Sequence, residues 1–273
     1  HVLAGVEKVG ETFALVEIAA KIWASNDNPP LFFEAEMPID QIERRLDASA
    51  GKFAYDKLRK GQLGMFQKKK YLEWLQEQKT AKPFWIADTT TTDTVDGIAE
   101  LAMELGACAV IIDGIYILGR HGDTSMWERV LSVVARCKDL AKSTNLPWIL
   151  TTQLDTKTKI DALNATTRDL GYAKMIGQWV DGCYCFFGNK DLKKNKRRLL
   201  RTLCAREFEP IDLLINFDMD RMDFSEIGVV EGNALTKVTG STVPTAVSEE
   251  GPALPSGDED DTPAASSVMV IPF

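Results

Sequence analysis

Gly5, Gly10 and Thr12 stand at the spacing of a phosphate-cradling loop, G-x-x-x-x-G-K-[ST], but Glu11 holds the lysine position. In such a loop the lysine reaches the β- and γ-phosphates and the hydroxyl holds Mg²⁺. A carboxylate at that point repels the triphosphate that an ammonium would attract. The segment Gly5, Val6, Glu7, Lys8, Val9, Gly10, Glu11, Thr12 still presents backbone N–H groups where a helix begins, the place where folds hold anions. Lys8 is a nearby cation able to stand in for the missing charge. The candidate chemistry is phosphoryl transfer from a nucleoside triphosphate, with one position altered.

Transfer to water needs a divalent metal, a group that orients the water and positive charge for the transition state. Three polar residues end short apolar runs and suit those needs: Glu36, Asp113 and Gln153. Thr12 and Asp113 offer hard oxygens to Mg²⁺. Glu36 can polarise a water, although Glu34 competes with it on spacing alone. Gln153 can report the γ-phosphate by hydrogen bonding. Arg206 carries a guanidinium suited to phosphate oxygens and can project into a neighbouring subunit.

The elements that must position these residues are legible as alternating strands and helices. Apolar runs at His1–Ala4, Leu31–Phe33, Phe84–Asp88, Cys108–Asp113, Trp148–Gln153, Gly182–Phe187, Leu199–Ala205 and Ile211–Phe217 read as strands. Helical patterns at Thr12–Ala24, Asp40–Leu46, Phe53–Gly61, Met65–Thr80, Thr94–Leu105 and Met126–Thr144 separate them, and Asn189–Arg198 reads as a basic turn. Short strands apolar on both faces predict an α/β fold with a mostly parallel sheet covered by helices on both faces. Ligands of such sheets bind at the carboxyl ends of the strands, where Glu36, Asp113 and Gln153 lie.

A chain of 273 residues, 45% of them hydrophobic, can bury one sizeable core, and its net charge of −8 does not announce a nucleic-acid binder. No apolar run reaches the roughly 18 residues of a membrane span, so no membrane partner is expected. Five cysteines without a secretory signal fit reduced thiols in a cytoplasmic compartment, and metal binding by them is not expected. A start at His1, already inside a strand, reads as a fragment. Beyond Val229 the composition shifts to Gly, Ser, Thr, Pro, Ala and acidic clusters, so the domain is set at 1–228 and an acidic, disordered tail at 229–273.

Over residues 1–220 the chain resembles the RecA-like motor domain of DnaB-type hexameric replicative DNA helicases of bacteria and phages. The resemblance rests on Phe33-Glu34-Ala35-Glu36-Met37-Pro38, Leu58-Arg59-Lys60-Gly61-Gln62-Leu63, Ile111-Ile112-Asp113-Gly114-Ile115-Tyr116, Thr151-Thr152-Gln153-Leu154, the Asp169-to-Asp181 segment and Arg206, in family order. It implies a RecA-like P-loop NTPase that uses ATP and Mg²⁺ and works as a homo-hexamer on single-stranded DNA. It also implies Glu36 as the catalytic base and Arg206 as the arginine finger. Three departures stand out: Glu11 for the loop lysine, Cys204 for a second cation two before the finger, and no N-terminal domain or linker helix.

Single-stranded DNA would meet loops lining the ring's channel, with Arg120, Lys157, Lys159 and Arg168 as the phosphate-contacting candidates. The basic runs Lys68–Lys70 and Lys193–Arg198 read equally well as solvated surface. The tail ends in Ile271-Pro272-Phe273 and resembles the partner-docking peptide of bacterial single-stranded-DNA-binding proteins, which implies a replication partner. The alternative to a helicase motor is a non-hydrolysing RecA-like module that serves as a recombination or replication scaffold.

Overall fold

Near-continuous apolar runs between Gly, Pro and Asn form the central strands, and the amphipathic stretches between them form the covering helices. The computed structural model describes residues 1–5, 9–119, 125–153 and 173–230, with further short strands at Val238–Thr239 and Val268–Val270. In chain order the elements begin β1 (Val2–Gly5), α1 (Glu11–Ser25), β2 (Leu31–Glu34), α2 (Ile39–Ala50), α3 (Tyr55–Arg59) and α4 (Met65–Gln78). They continue with β3 (Phe84–Asp88), α5 (Val95–Glu104), β4 (Val110–Asp113), a 3-10 turn (Ile115–Ile117), α6 (Met126–Thr144) and β5 (Trp148–Gln153). The last part holds α7 (Ala173–Trp179), β6 (Gly182–Phe187), α8 (Lys190–Lys194), β7 (Arg197–Ala205), β8 (Leu213–Asn216) and β9 (Glu226–Val230), then β10 (Val238–Thr239) and β11 (Val268–Val270).

These strands make one sheet in the order β10-β9-β8-β7-β6-β1-β5-β4-β2-β3-β11. From β6 through β1, β5, β4, β2 and β3 to β11 every pairing is parallel; from β6 outward through β7, β8, β9 and β10 every pairing is antiparallel. The expected α/β architecture is therefore present, with an antiparallel wing on one side. Side-chain alternation splits the core. Leu31, Phe33, Val110 and Ile112 face α5 and α6 and pack with Ile98, Val130 and Val134. Phe32, Ile86 and Ile111 face α1 and α2 and pack with Leu15, Trp23, Ile42 and Leu46. Full burial of each such side chain contributes about 1.5–3 kcal/mol.

Local signals set several boundaries. Thr94 caps α5 by accepting the Gly97 N–H at 3.1 Å, and Ser125 with Glu128 forms a capping box on α6. The segment 189–198, expected as a basic turn, instead contains α8, capped by the Asn189 side chain accepting the Leu192 N–H at 2.8 Å. Arg198 is correspondingly not solvated surface: it lies in β7 and is 8% exposed. Besides α8, the elements α7 and β9 went unforeseen, as did β10 and β11 inside the stretch expected to be a disordered tail. Gly177 interrupts the apolar pattern of α7, and β9 runs past residue 228 into the composition shift. No helix among the described residues is long and apolar enough to cross a membrane. All five cysteines are free.

Candidate nucleotide site

The carboxyl ends of β1, β2, β4 and β5 converge on one cavity of about 380 Å³, within the roughly 300–1,000 Å³ usual for small-molecule sites. Gly10, Glu11, Thr12, Glu36, Arg45, Asp113, Tyr116, Thr151, Gln153 and Arg198 are among the residues that line it. The structure thus brings together Gly10, Glu11, Thr12, Glu36, Asp113 and Gln153 as the sequence implied. Gly5 ends β1 directly beneath them, and Val9 lies in the same wall. Val6, Glu7 and Lys8 lie outside the described residues, as do Arg120, Lys157, Lys159, Arg168 and Ile271–Phe273.

Register explains the strand-end wall. Glu34 pairs across from Asp113, so two carboxylates end adjacent strands side by side. Glu34 is fully buried; its Oε1 accepts the N–H groups of Glu36 and Met37 at 2.6 and 2.8 Å, while Oε2 has no partner. Burial, reinforced by the neighbouring Asp113, pushes its carboxyl up to about 8, so Glu34 is protonated at neutral pH. It braces the turn that follows β2, and of the two competitors Glu36 lines the cavity while Glu34 lies buried behind it. Asp113 accepts a hydrogen bond from the Thr151 hydroxyl and shares the cavity wall with Thr12, and its Oδ2 is buried without a partner. Burial raises its pKa, and the Thr12 and Thr151 hydroxyls oppose that rise.

Tyr116 joins the remaining pieces. It lies in the 3-10 turn after β4, donates its hydroxyl hydrogen to Glu36 Oε2, and accepts from Gln153 Nε2 at 2.8 Å. Gln153, Tyr116 and Glu36 therefore form one hydrogen-bonded chain across three strand ends. The sequence assigned Tyr116 no role, nor Thr151; their only signal was position, three residues past Asp113 and two before Gln153.

The loop wall is built differently. Gly10 caps α1 in the left-handed region with φ 109°, and a β-carbon there would sit 2.5 Å from the Phe217 ring. The Glu11 side chain folds back over Gly5, so closely that a β-carbon on Gly5 would collide with it, and its Oε2 accepts the Gly10 N–H at 3.1 Å. Its carboxyl group thereby occupies part of the anion cradle. Oε1 is buried without a partner, and burial raises the carboxyl to about 7. Two cations flank this wall. Arg45 stacks 4.9 Å over Phe13 and 5.4 Å over Tyr55, with Nε buried and unpartnered. Arg198 stacks 4.4 Å over Phe217 and donates from Nε to the Val9 carbonyl at 3.0 Å. Neither was singled out from the sequence, because nothing local marks an arginine that folding buries.

Arg206 lies outside this cavity. It is half-exposed near the carboxyl end of β7, donates to the Gln178 carbonyl at 2.9 Å and stands 3.9 Å from Asp181, which Lys138 also holds at 2.6 Å. Within one chain it cannot serve this site.

A family model described as the DnaB-like helicase C-terminal domain matches residues 1–167. Among solved structures, an ATPase domain superposes with a TM-score of 0.69 at 15% identity, covering 82% of each chain. A DnaB-like replicative helicase, solved for its interactions with primase, superposes with a TM-score of 0.70 at 16% identity. That alignment covers 82% of this chain but 56% of the helicase, so this chain spans little more than half the helicase's length. No curated protein matches the chain. The family match spans more than half of the sequence and the fold is that of the ATPase domains of such helicases: the chain belongs to the DnaB-like helicase C-terminal domain family.

Proposed function

We propose that this chain is the ATP-dependent motor domain of a replicative DNA helicase of bacterial or phage origin, working in the cytoplasm as a homo-hexamer that translocates on single-stranded DNA. The observation that carries this reading is the chain Gln153–Tyr116–Glu36 beside the Thr12–Asp113–Thr151 cluster, set at one cavity mouth. The donor set fits Mg²⁺: a hydroxyl and a carboxylate with an unused buried oxygen, the remaining ligands coming from phosphates and water. When bound, the ion neutralises charge developing on the phosphates.

Each residue then has a stated task. Thr12 and Asp113 hold the metal, and the N–H groups opening α1 take the phosphates. Glu36 accepts a hydrogen bond from the attacking water, and Tyr116 fixes its carboxylate. Gln153 reaches the γ-phosphate and is coupled through the Tyr116 hydroxyl to Glu36, so loss of that phosphate is felt at the base. Arg206 acts on the neighbouring subunit, leaving its own Asp181 to do so. Arg120, Lys157, Lys159 and Arg168 take DNA phosphates, and the tail ending at Phe273 docks a replication partner. Glu11 limits turnover, because the nucleotide must displace it from the cradle.

The alternative, a non-hydrolysing recombination or replication scaffold, is favoured by one observation, the Glu11 carboxylate already seated on the Gly10 N–H. ATP hydrolysis with single-stranded DNA, measured for the chain and for Glu11→Lys, separates the two. The motor reading expects turnover in the variant, faster than in the parent by about tenfold or more, the worth of a charge-assisted contact. No turnover in either protein supports the scaffold.

A further inference from the structure

Glu11 leaves the phosphate loop without its cation, yet a buried guanidinium stands against the same loop. Arg198 begins the antiparallel wing at the end of the sheet where the parallel strands finish, because β7 runs opposite to β6. Its stem packs closely over Gly188, where a β-carbon would lie 2.8 Å from Arg198 Cδ. Phe217 supports the guanidinium face, and that ring is held in turn by the hairpin closure, where the Phe217 N–H donates to the Lys196 carbonyl at 2.7 Å. The bonds it makes are to two carbonyls, Val9 at 3.0 Å and Arg197 at 2.7 Å. No carboxylate among the described residues is bonded to it, and the Glu11 carboxyl in the loop acts on it only through space, less than its burial costs. Burying a cation without a bonded anion is costly, and an arriving polyanion relieves that cost.

We propose that Arg198 is the phosphate-binding cation of this site, contacting the nucleotide triphosphate from β7 in place of the loop lysine that Glu11 has displaced. This inference rests on the motor-domain reading and deepens it. An arginine suits the task because its planar fork can keep one nitrogen on the Val9 carbonyl while others meet phosphate oxygens. Arg45, stacked on Phe13 opposite, leaves a second guanidinium on the same cavity, so the triphosphate is met from both sides of the aromatic pair Phe13–Phe217.

The test is calorimetric binding of ATP with Mg²⁺ to the full chain, to Arg198→Met, to Glu11→Lys and to the double variant, with thermal unfolding of each. Arg198→Met is expected to weaken binding about tenfold to a hundredfold in the parent and only severalfold in the Glu11→Lys background, where the lysine resumes the role. Equal affinity of Arg198→Met and the parent overturns the proposal, as does an equal loss in both backgrounds. Binding by Glu11→Lys but not by the parent overturns it too and leaves the motor reading standing. If no variant binds, the motor reading falls and this one with it. Should Arg198→Met fail to fold, Arg198→Gln, which keeps a donor for Val9 without the charge, decides by the same comparison.

Discussion

On the strand-end wall of the cavity, Glu36, Tyr116 and Gln153 form one hydrogen-bonded chain, and Thr151 holds Asp113 beside Thr12. On the loop wall, Glu11 bends back onto Gly10 while Arg45 and Arg198 stand off on aromatic rings. The first wall fixes positions through short directional bonds between neighbouring strands; the second fixes charge by stacking and burial. The difference teaches that the two requirements of phosphoryl transfer, geometry and compensation of charge, are carried by separable parts of the fold. One part can change sign at a residue while the other keeps its form.

The comparison breaks most sharply at Glu36. In the Glu11→Lys background, Glu36→Gln should lower kcat by about 10²–10⁴-fold with ATP affinity nearly unchanged, read by steady-state hydrolysis beside calorimetry. A large loss of affinity instead would mean that the strand-end wall also carries binding charge. Next comes Tyr116→Phe, which keeps the ring but cuts the link from Gln153 to Glu36; kcat should fall about tenfold with binding intact.

A smaller effect isolates the loop wall. Glu11 has its carboxyl raised to about 7, so it is largely neutral at pH 6 and charged at pH 8. ATP affinity should therefore rise severalfold as pH falls across that window, relative to Glu11→Gln, which removes the titration. Parallel pH profiles for the two proteins would show that Glu11 does not face the phosphates.

The smallest effect belongs to Glu34. Its folded carboxyl, raised to about 8, binds a proton that an unfolded glutamic acid has released above about 4.5. The folded state thus holds the extra proton between those values, so stability declines as pH rises from about 4.5 to about 8 and levels off above that. Between pH 7 and pH 9 the parent should lose about 3–5 °C more in Tm than Glu34→Gln. Equal losses would mean that the charged form is not penalised there.

Much of the strand-end wall was legible in advance. Glu36, Asp113 and Gln153 each close an apolar run, and the carboxyl-end rule of parallel sheets places them together. Trp148–Gln153 and Met126–Thr144 matched their expected bounds because both are strongly periodic and clearly punctuated. The loop wall was only half legible. The sequence exposes Glu11 as a departure, but Arg198 lies almost two hundred residues away in a run of basic residues that looks solvated. Only the antiparallel return of β7 brings it to Val9, and no local pattern encodes that return. Tyr116 escaped for another reason: its bonds span three strand ends, and the sequence shows just one of them.

Gly10 has a consequence in the genetics of the loop. Codons for glutamate and lysine differ by a single base, and position 11 lines the cavity itself. Position 10 offers no such freedom, since φ 109° and the Phe217 ring together refuse any β-carbon. The charge of the loop can thus invert in one mutational step while its path stays frozen. A gene with glutamate at position 11 stands one base from the lysine form, and the glycine at position 10 keeps the turn that either form needs.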